Sequence, residues 1–275
     1  MEPIELVKAA VLGVIEGLTE FLPISSTGHL LVAERLLHFD SELFTVAIQI
    51  GALAAVWWLF RHRFFAVIPG APSYSDGGVR LGLQVLVAFF PVMLAGMLSH
   101  HWIQAHLFSP HTIAWALIGG GIVILLIEGL KPPVRVHDLD RLPWRLALAV
   151  GLGQCLALWP GVSRSGATIM TGLAVGMSRG AATEFTFLLS APTMTAAAAY
   201  ELWKHRHDLT ADMALLIVVG LVVSFVVAYG VVTWLIRYVQ SHTFESFAWY
   251  RIIAGAILLG MLSNGYLESH AALPR

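Results

Sequence analysis

GVIEGLTEFLPISSTG at residues 13–28 returns as GLGQCLALWPGVSRSG at residues 151–166, a Gly-framed, Pro-broken, hydroxyl-rich element repeated 138 positions later in a 275-residue chain. At that offset Gly13 falls on Gly151, Glu16 on Gln154, Leu18 on Leu156, Ser25 on Ser163, Ser26 on Arg164, Thr27 on Ser165 and Gly28 on Gly166. The chain therefore reads as one membrane domain over residues 1–275, built from two related halves. Residues 1–130 form the first, with its re-entrant motif at 7–30, and residues 146–267 the second, with its motif at 146–170. Each half concentrates its polar chemistry in that motif.

Around these elements the chain is apolar. Hydrophobic residues make up 57%, charged residues 12%, and mean hydropathy is +0.77, far from the balance of a soluble domain. Uninterrupted apolar stretches run from Leu43 to Phe60, Leu81 to Ser99, Thr112 to Ile127, Ala181 to Trp203, Met213 to Ile236 and Ile252 to Leu262. Each approaches the ~20 residues that a bilayer core requires, so an all-α polytopic membrane protein of about six transmembrane helices is expected. The amino-terminal MEPIELVK is acidic where a signal peptide would be basic and lacks a small-residue cleavage site, so the first segment is expected to persist. A net charge of −1 and singly scattered basic residues argue against a nucleic-acid partner. The one cysteine, Cys155, has no internal disulfide partner and reads as a small buried side chain.

Val7 to Leu22 and Leu146 to Trp159 are too short for full spans, and each ends at a proline followed by Ser and Gly. They suit two re-entrant helical hairpins. Broken backbone at membrane depth must be buried in protein or line a wet cavity, because lipid offers its N–H and C=O groups no partner, so the two loops should face each other. Three spans per half make the repeat inverted. Arg61, Arg63 and Arg80 occupy one loop and Lys131, Arg135, Arg141 and Arg145 another, while residues 100–111 hold neither Lys nor Arg. The two basic loops should be cytoplasmic, with Lys204 and Arg206 opposing weakly. The 100–111 stretch reads as an external wet loop, where His100 and His106 would flank a turn and could ligate a metal. Gly119 to Gly121 would permit close helix packing, including that of a homodimer.

Glu16 and Glu20 stand at i and i+4, so both carboxylates leave one helical face within an apolar segment. Intramembrane carboxylates are costly and usually functional; this pair suits a hard divalent cation, Mg2+ or Ca2+, or a general base. Ser25, Ser26, Thr27 and His29 then place three hydroxyls beside an imidazole, a nucleophile set next to a proton carrier. In the second motif Arg164 stands among Ser163, Ser165, Thr168 and Gly161 as an oxyanion cradle, where the Arg fork, backbone N–H groups and the start of a helix all favour phosphate.

The Glu-x3-Glu segment leading to P-x-S-S-T-G-H, with the P-G-x-S-R-S-x2-T loop, resembles the bacitracin-resistance type of undecaprenyl-diphosphatase. Both motifs are intact, in Glu16, Glu20, Pro23, Ser25, Ser26, Thr27, Gly28 and His29, and in Pro160, Gly161, Ser163, Arg164, Ser165 and Thr168. The resemblance covers essentially the whole chain. It implies hydrolysis of undecaprenyl diphosphate to the monophosphate carrier for peptidoglycan synthesis, at the outer, periplasmic face of a bacterial inner membrane, with bacitracin resistance. Carried over by position, it makes Ser26 the leading nucleophile, with Thr27 or an activated water as competitors, and His29 the general acid or base. Glu20 would hold His29 or the metal, and Glu16 would help bind Mg2+ or Ca2+. Arg164, with Ser163, Ser165 and Thr168, would bind the diphosphate, and the prenyl tail would remain among apolar spans and membrane lipid. A secondary transporter or lipid flippase working through the same broken helices is the rival reading.

Overall fold

The computed structural model describes residues 2–39, 41–204 and 210–265; residues 266 and 267, at the end of the expected second half, and Arg206 lie outside them. Among the described residues eleven α-helices follow in order: α1 (Pro3–Thr19), α2 (Ser26–Leu37), α3 (Glu42–Leu59), α4 (Arg61–Phe65), α5 (Asp76–His106), α6 (Pro110–Leu130), α7 (Trp144–Gln154), α8 (Arg164–Ala174), α9 (Arg179–Lys204), α10 (Ala211–Tyr238) and α11 (Glu245–Ser263). Among the described residues the only β-type pairing is one bridge between Val136 and Met177.

Five of these helices, α3, α5, α6, α10 and α11, are long and apolar enough to cross a membrane. The sixth expected span is the 26-residue α9, about 39 Å long at 1.5 Å per residue. Its middle carries Thr183, Glu184, Thr186, Ser190 and Thr193, which lowers its hydropathy below that of the other five. Thr183, Thr186 and Ser190 are buried, so this polarity faces protein.

The two short broken segments form helix–turn–helix hairpins, α1–α2 and α7–α8, the second interrupted by a 3-10 turn at Cys155–Leu158. Each hairpin's first helix lies against a long span of the opposite half. A Cβ on Gly13 of α1 would meet the Gly220 carbonyl oxygen of α10 at 2.6 Å, and one on Gly151 of α7 would meet the Ala88 carbonyl oxygen of α5 at 2.2 Å. Glycine at these two positions lets backbones touch, which gives helices packing energy where lipid supplies no hydrophobic drive. The main core lies between α3, α9, α10 and α5, with Phe21, Phe185, Phe187 and Phe244 fully buried.

Three readings change. His100, His101 and His106 belong to the last turns of α5 and His111 to the first turn of α6, leaving only residues 107–109 between the helices. The anticipated turn between His100 and His106 is therefore helix, and His106 Nδ1 meets the Trp102 carbonyl oxygen at 2.9 Å. Pro91 sits inside α5 without ending it, and Ser109 caps α6 by accepting from the Thr112 N–H, which explains why the linker is so short. Cys155 is only partly buried, because it lines an apolar cavity of about 760 Å³ between α5, α6 and α8. Gly120 and Gly121 are occupied within the chain: their ideal Cβ atoms would strike Arg251 and Ala248 of α11, whereas Gly119 faces open space.

Candidate active site at the two broken helices

Both hairpins turn through a serine at positive φ. Ser25 has φ 71° and Ser163 φ 74°, and each immediately precedes the first residue of a helix, α2 or α8. Side chains rarely adopt this conformation, which costs about 1–3 kcal/mol, and such strain concentrates at functional sites. Ser163 offsets part of it by accepting from the Gly166 N–H at 3.1 Å, an N-cap. The reward is placement. Two helix N-termini, with their unpaired N–H groups and positive dipole ends, arrive where the loops meet.

The loops face each other, as the burial argument requires. Arg164 Nη2 donates to Glu20 Oε1 at 3.0 Å, and Ser165 Oγ donates to the Leu22 carbonyl at 2.8 Å. Ser26 Oγ donates to the other Glu20 oxygen, Oε2, at 2.5 Å. One carboxylate thus joins the hydroxyl of the first motif to the guanidinium of the second. The Arg164 and Glu20 side chains are only 14% and 10% exposed, so their attraction is weakly screened. Arg164 also lies over the Phe21 ring at 5.8 Å and touches Met194 Sδ at 3.1 Å, contacts that hold the guanidinium in one pose.

Three atoms of ionisable side chains are left over. Arg164 Nη1 and both carboxylate oxygens of Glu16 are buried without a hydrogen-bond partner among the described residues. A buried charge without partners is expensive, and such gaps mark places where a ligand completes the bonding. Arg164 Nη1 suits an anion. The Glu16 oxygens fit a hard cation or a proton; Glu20 retains a second lone pair on each oxygen. Among the described residues no three His, Cys, Asp or Glu side chains form a metal cluster, so any cation here would take the rest of its shell from phosphate or water.

The remaining predicted residues divide clearly. His29 makes no hydrogen bond to Ser26 or Glu20. Its Nδ1 meets the Ser25 carbonyl oxygen at 2.7 Å and its Nε2 meets the Tyr250 hydroxyl at 2.6 Å. A carbonyl can only accept, so Nδ1 carries hydrogen, and in the neutral ring Nε2 accepts from Tyr250. Of the two expectations for Glu20, holding His29 or a metal, the first gives way to the Glu20–Ser26–Arg164 bridge. Ser165 and Ser163 hydroxyls bond each other at 3.0 Å. Thr168 spends its hydroxyl on the Arg164 and Ser165 carbonyls and accepts from Thr186, so it braces the cradle and does not reach into it. Ser25 and Ser26 are buried, and Thr27 is partly exposed on the first turn of α2. Gly161 sits at φ +93° with a virtual Cβ 2.8 Å from the Ile113 carbonyl oxygen, so a side chain is excluded there.

Sequence reasoning missed Arg251 and Tyr250 on α11. The offset of 138 pairs Arg251 with Ile113, so the repeat gives no hint of it. A lone arginine at the mouth of an apolar run was the available signal. It also missed a second clamp, where Arg179 grips Glu128 with two nitrogens and the Phe244 N–H donates to the same carboxylate at 2.9 Å.

Fold and site together define a multi-pass α-helical membrane protein with a buried, charged centre built from two broken helices. Comparison with known proteins is specific. A family model described as Bacitracin resistance protein BacA matches residues 9–257, and the chain belongs to that family. It is 48% identical to undecaprenyl-diphosphatase 2 of Rhodospirillum rubrum over 272 residues, covering 98% of this chain and 99% of that one. It is also 45% identical to the undecaprenyl-diphosphatase of Cupriavidus metallidurans, covering 96% and 98%. Against the undecaprenyl-diphosphatase of Acidovorax ebreus the identity is 48%, over 94% and 96%.

Proposed function

We propose that the protein is a membrane-embedded lipid-diphosphate phosphatase that hydrolyses undecaprenyl diphosphate to undecaprenyl phosphate and phosphate. The observation that carries the mechanism is the Ser26–Glu20–Arg164 bridge, with Arg164 Nη1 buried and unpartnered beside it. A phosphate oxygen accepting from Nη1 would bring the terminal phosphorus to the hydroxyl that Glu20 already holds. Ser26 Oγ attacks that phosphorus while its proton passes to Glu20, and the anhydride P–O bond breaks with its electron pair leaving on the lipid monophosphate. Water then cleaves the phosphoserine, returning phosphate and Ser26. In the competing route a water occupies the position of Ser26 Oγ and Glu20 takes its proton directly. His29, one turn along α2, would serve as the general acid once protonated at Nε2, where it now meets the Tyr250 hydroxyl, and Arg164 with the α8 N-terminus offsets charge on the transferring phosphoryl group. Glu16 and Glu20 would hold Mg2+ or Ca2+, which would neutralise phosphate charge.

The inverted repeat, with residues 1–130 opposing 146–267, is supported by the matched positive-φ serines and by the reciprocal packing of α1 on α10 and α7 on α5. With the basic loops inside, the site opens to the periplasmic face of the inner membrane, where the diphosphate would arrive while its prenyl tail stays among the apolar helices. A flippase needs no hydroxyl hydrogen-bonded to a carboxylate, and this contact favours hydrolysis over transport. Any homodimer contact through the Gly119 to Gly121 stretch would fall to Gly119, whose Cβ direction is open onto the apolar cavity beside α5 and α8.

The test is phosphate release from a prenyl diphosphate by purified wild type, Ser26→Ala and Glu20→Ala proteins. Release by wild type that collapses in both variants is expected, and trapping of phosphate on Ser26 separates serine attack from water attack. No release from folded wild type would reject the phosphatase.

A further inference from the structure

We propose that Arg251 is the positioning residue that sets the two broken loops in register. The residue is 1% exposed and its guanidinium has no carboxylate among its hydrogen-bond partners. All five of its N–H groups are spent on main-chain carbonyls. Nη1 donates to Pro23 at 3.0 Å and Val162 at 2.9 Å, Nη2 to Gly161 at 3.1 Å and Ala116 at 3.0 Å, and Nε to Leu117 at 3.2 Å. One side chain therefore ties the first loop, the second loop and α6 to α11.

The reason lies in what the loops lack. Each carries a proline between its helices, Pro23 or Pro160, and leaves carbonyls that cannot be satisfied by lipid. Five carbonyl dipoles can solvate one cation, and the planar, rigid fork of arginine reaches them in fixed directions, where a lysine offers three donors from a single point. The surroundings are cut to fit. A Cβ on Gly120 would come within 2.1 Å of Nη2, and one on Gly166 within 3.1 Å of Nη1. Because Ser26 follows Pro23 by three residues and Arg164 follows Val162 by two, the distance between nucleophile and cradle depends on this clamp. Arg251 makes no hydrogen bond to the Glu20, Ser26 or Arg164 side chains, so its effect is through the backbone.

The inference rests on the phosphatase reading for its kinetic arm and is independent of it in the other. Arg251→Lys and Gly120→Ala are purified in detergent, the second variant keeping the arginine while displacing it. Misplacing reacting groups by about 1 Å costs on the order of 100-fold in rate. The expected result is a kcat lowered about 100-fold in both variants, KM within about threefold of wild type, and thermal midpoints lowered but with cooperative unfolding retained, since buried carbonyls lose their donor. Hydrogen exchange should quicken in segments 20–27 and 159–166 together, with α3 and α10 unchanged. A folded Arg251→Lys protein with wild-type kcat and unchanged exchange in both loops would overturn the proposal, as would exchange that rises in α6 and α11 alone. If wild type releases no phosphate, the phosphatase reading falls, and the exchange measurement still decides the clamp. Should Arg251→Lys fail to fold, Gly120→Ala carries both measurements.

Discussion

Replacing Arg164 tests the site at the buried ion pair that joins the two hairpins. Arg164→Lys keeps the charge and the reach toward Glu20 but removes the fork, so it cannot bond Glu20 and present a second, separately directed nitrogen to phosphate. A hydrogen bond to a charged group contributes ~1.5–3 kcal/mol, and every ~1.36 kcal/mol is tenfold in rate, so the lysine variant should lose about 10–150-fold in kcat/KM. Arg164→Ala also removes the cation. It leaves Glu20, 10% exposed, beside the fully buried Glu16 with no counter-charge bonded to either. Breaking a buried pair in this way costs ~3–5 kcal/mol of stability at the upper end, so the alanine protein should melt earlier and lose on the order of 1,000-fold or more in activity. Phosphate release over a range of prenyl diphosphate concentrations, beside thermal unfolding in the same detergent, separates the two effects. An alanine variant that folds and retains activity within about threefold of wild type would refute the assignment of Arg164 as the phosphate-binding cation.

Other outcomes follow from the same geometry. Ser263→Ala should leave activity unchanged, since Ser263 Oγ bonds only the Gly260 carbonyl at the exposed end of α11; equal damage from Ser26→Ala and Ser263→Ala would detach the chemistry from the first motif. Excess chelator should suppress turnover and added Mg2+ or Ca2+ restore it, because the Glu16 oxygens lack partners among the described residues; full activity in chelator would remove the cation. Gly151→Ala should destabilise by ~1–3 kcal/mol, since its Cβ would sit 2.2 Å from a backbone oxygen that cannot yield. Gly119→Ala, with nothing within 4 Å, should be neutral or slightly stabilising, and the two thermal midpoints check the packing directly.

Local chemistry made much of this protein legible from its residues alone. Apolar runs of bilayer length demand spans whatever they pack against, and Pro-Ser-Gly breaks at Leu22 and Trp159 demand buried loops, because unpaired backbone cannot face lipid. Glu16, Glu20, Ser26, His29 and Arg164 stood out because polar side chains are rare in such surroundings. Helix continuation was harder to see. The histidines at 100–106 look like a loop by polarity, yet α5 carries them because an exposed helix end tolerates polar residues and Ser109 supplies the next cap. Which partners the polar residues choose was decided only by the tertiary structure. Glu20 takes Ser26 and Arg164 and leaves His29 to Tyr250, and Arg251 reaches carbonyls 89 to 228 positions away. Periodicity and spacing act over a few residues, whereas these bonds join segments that meet only when two halves of the chain fold against each other.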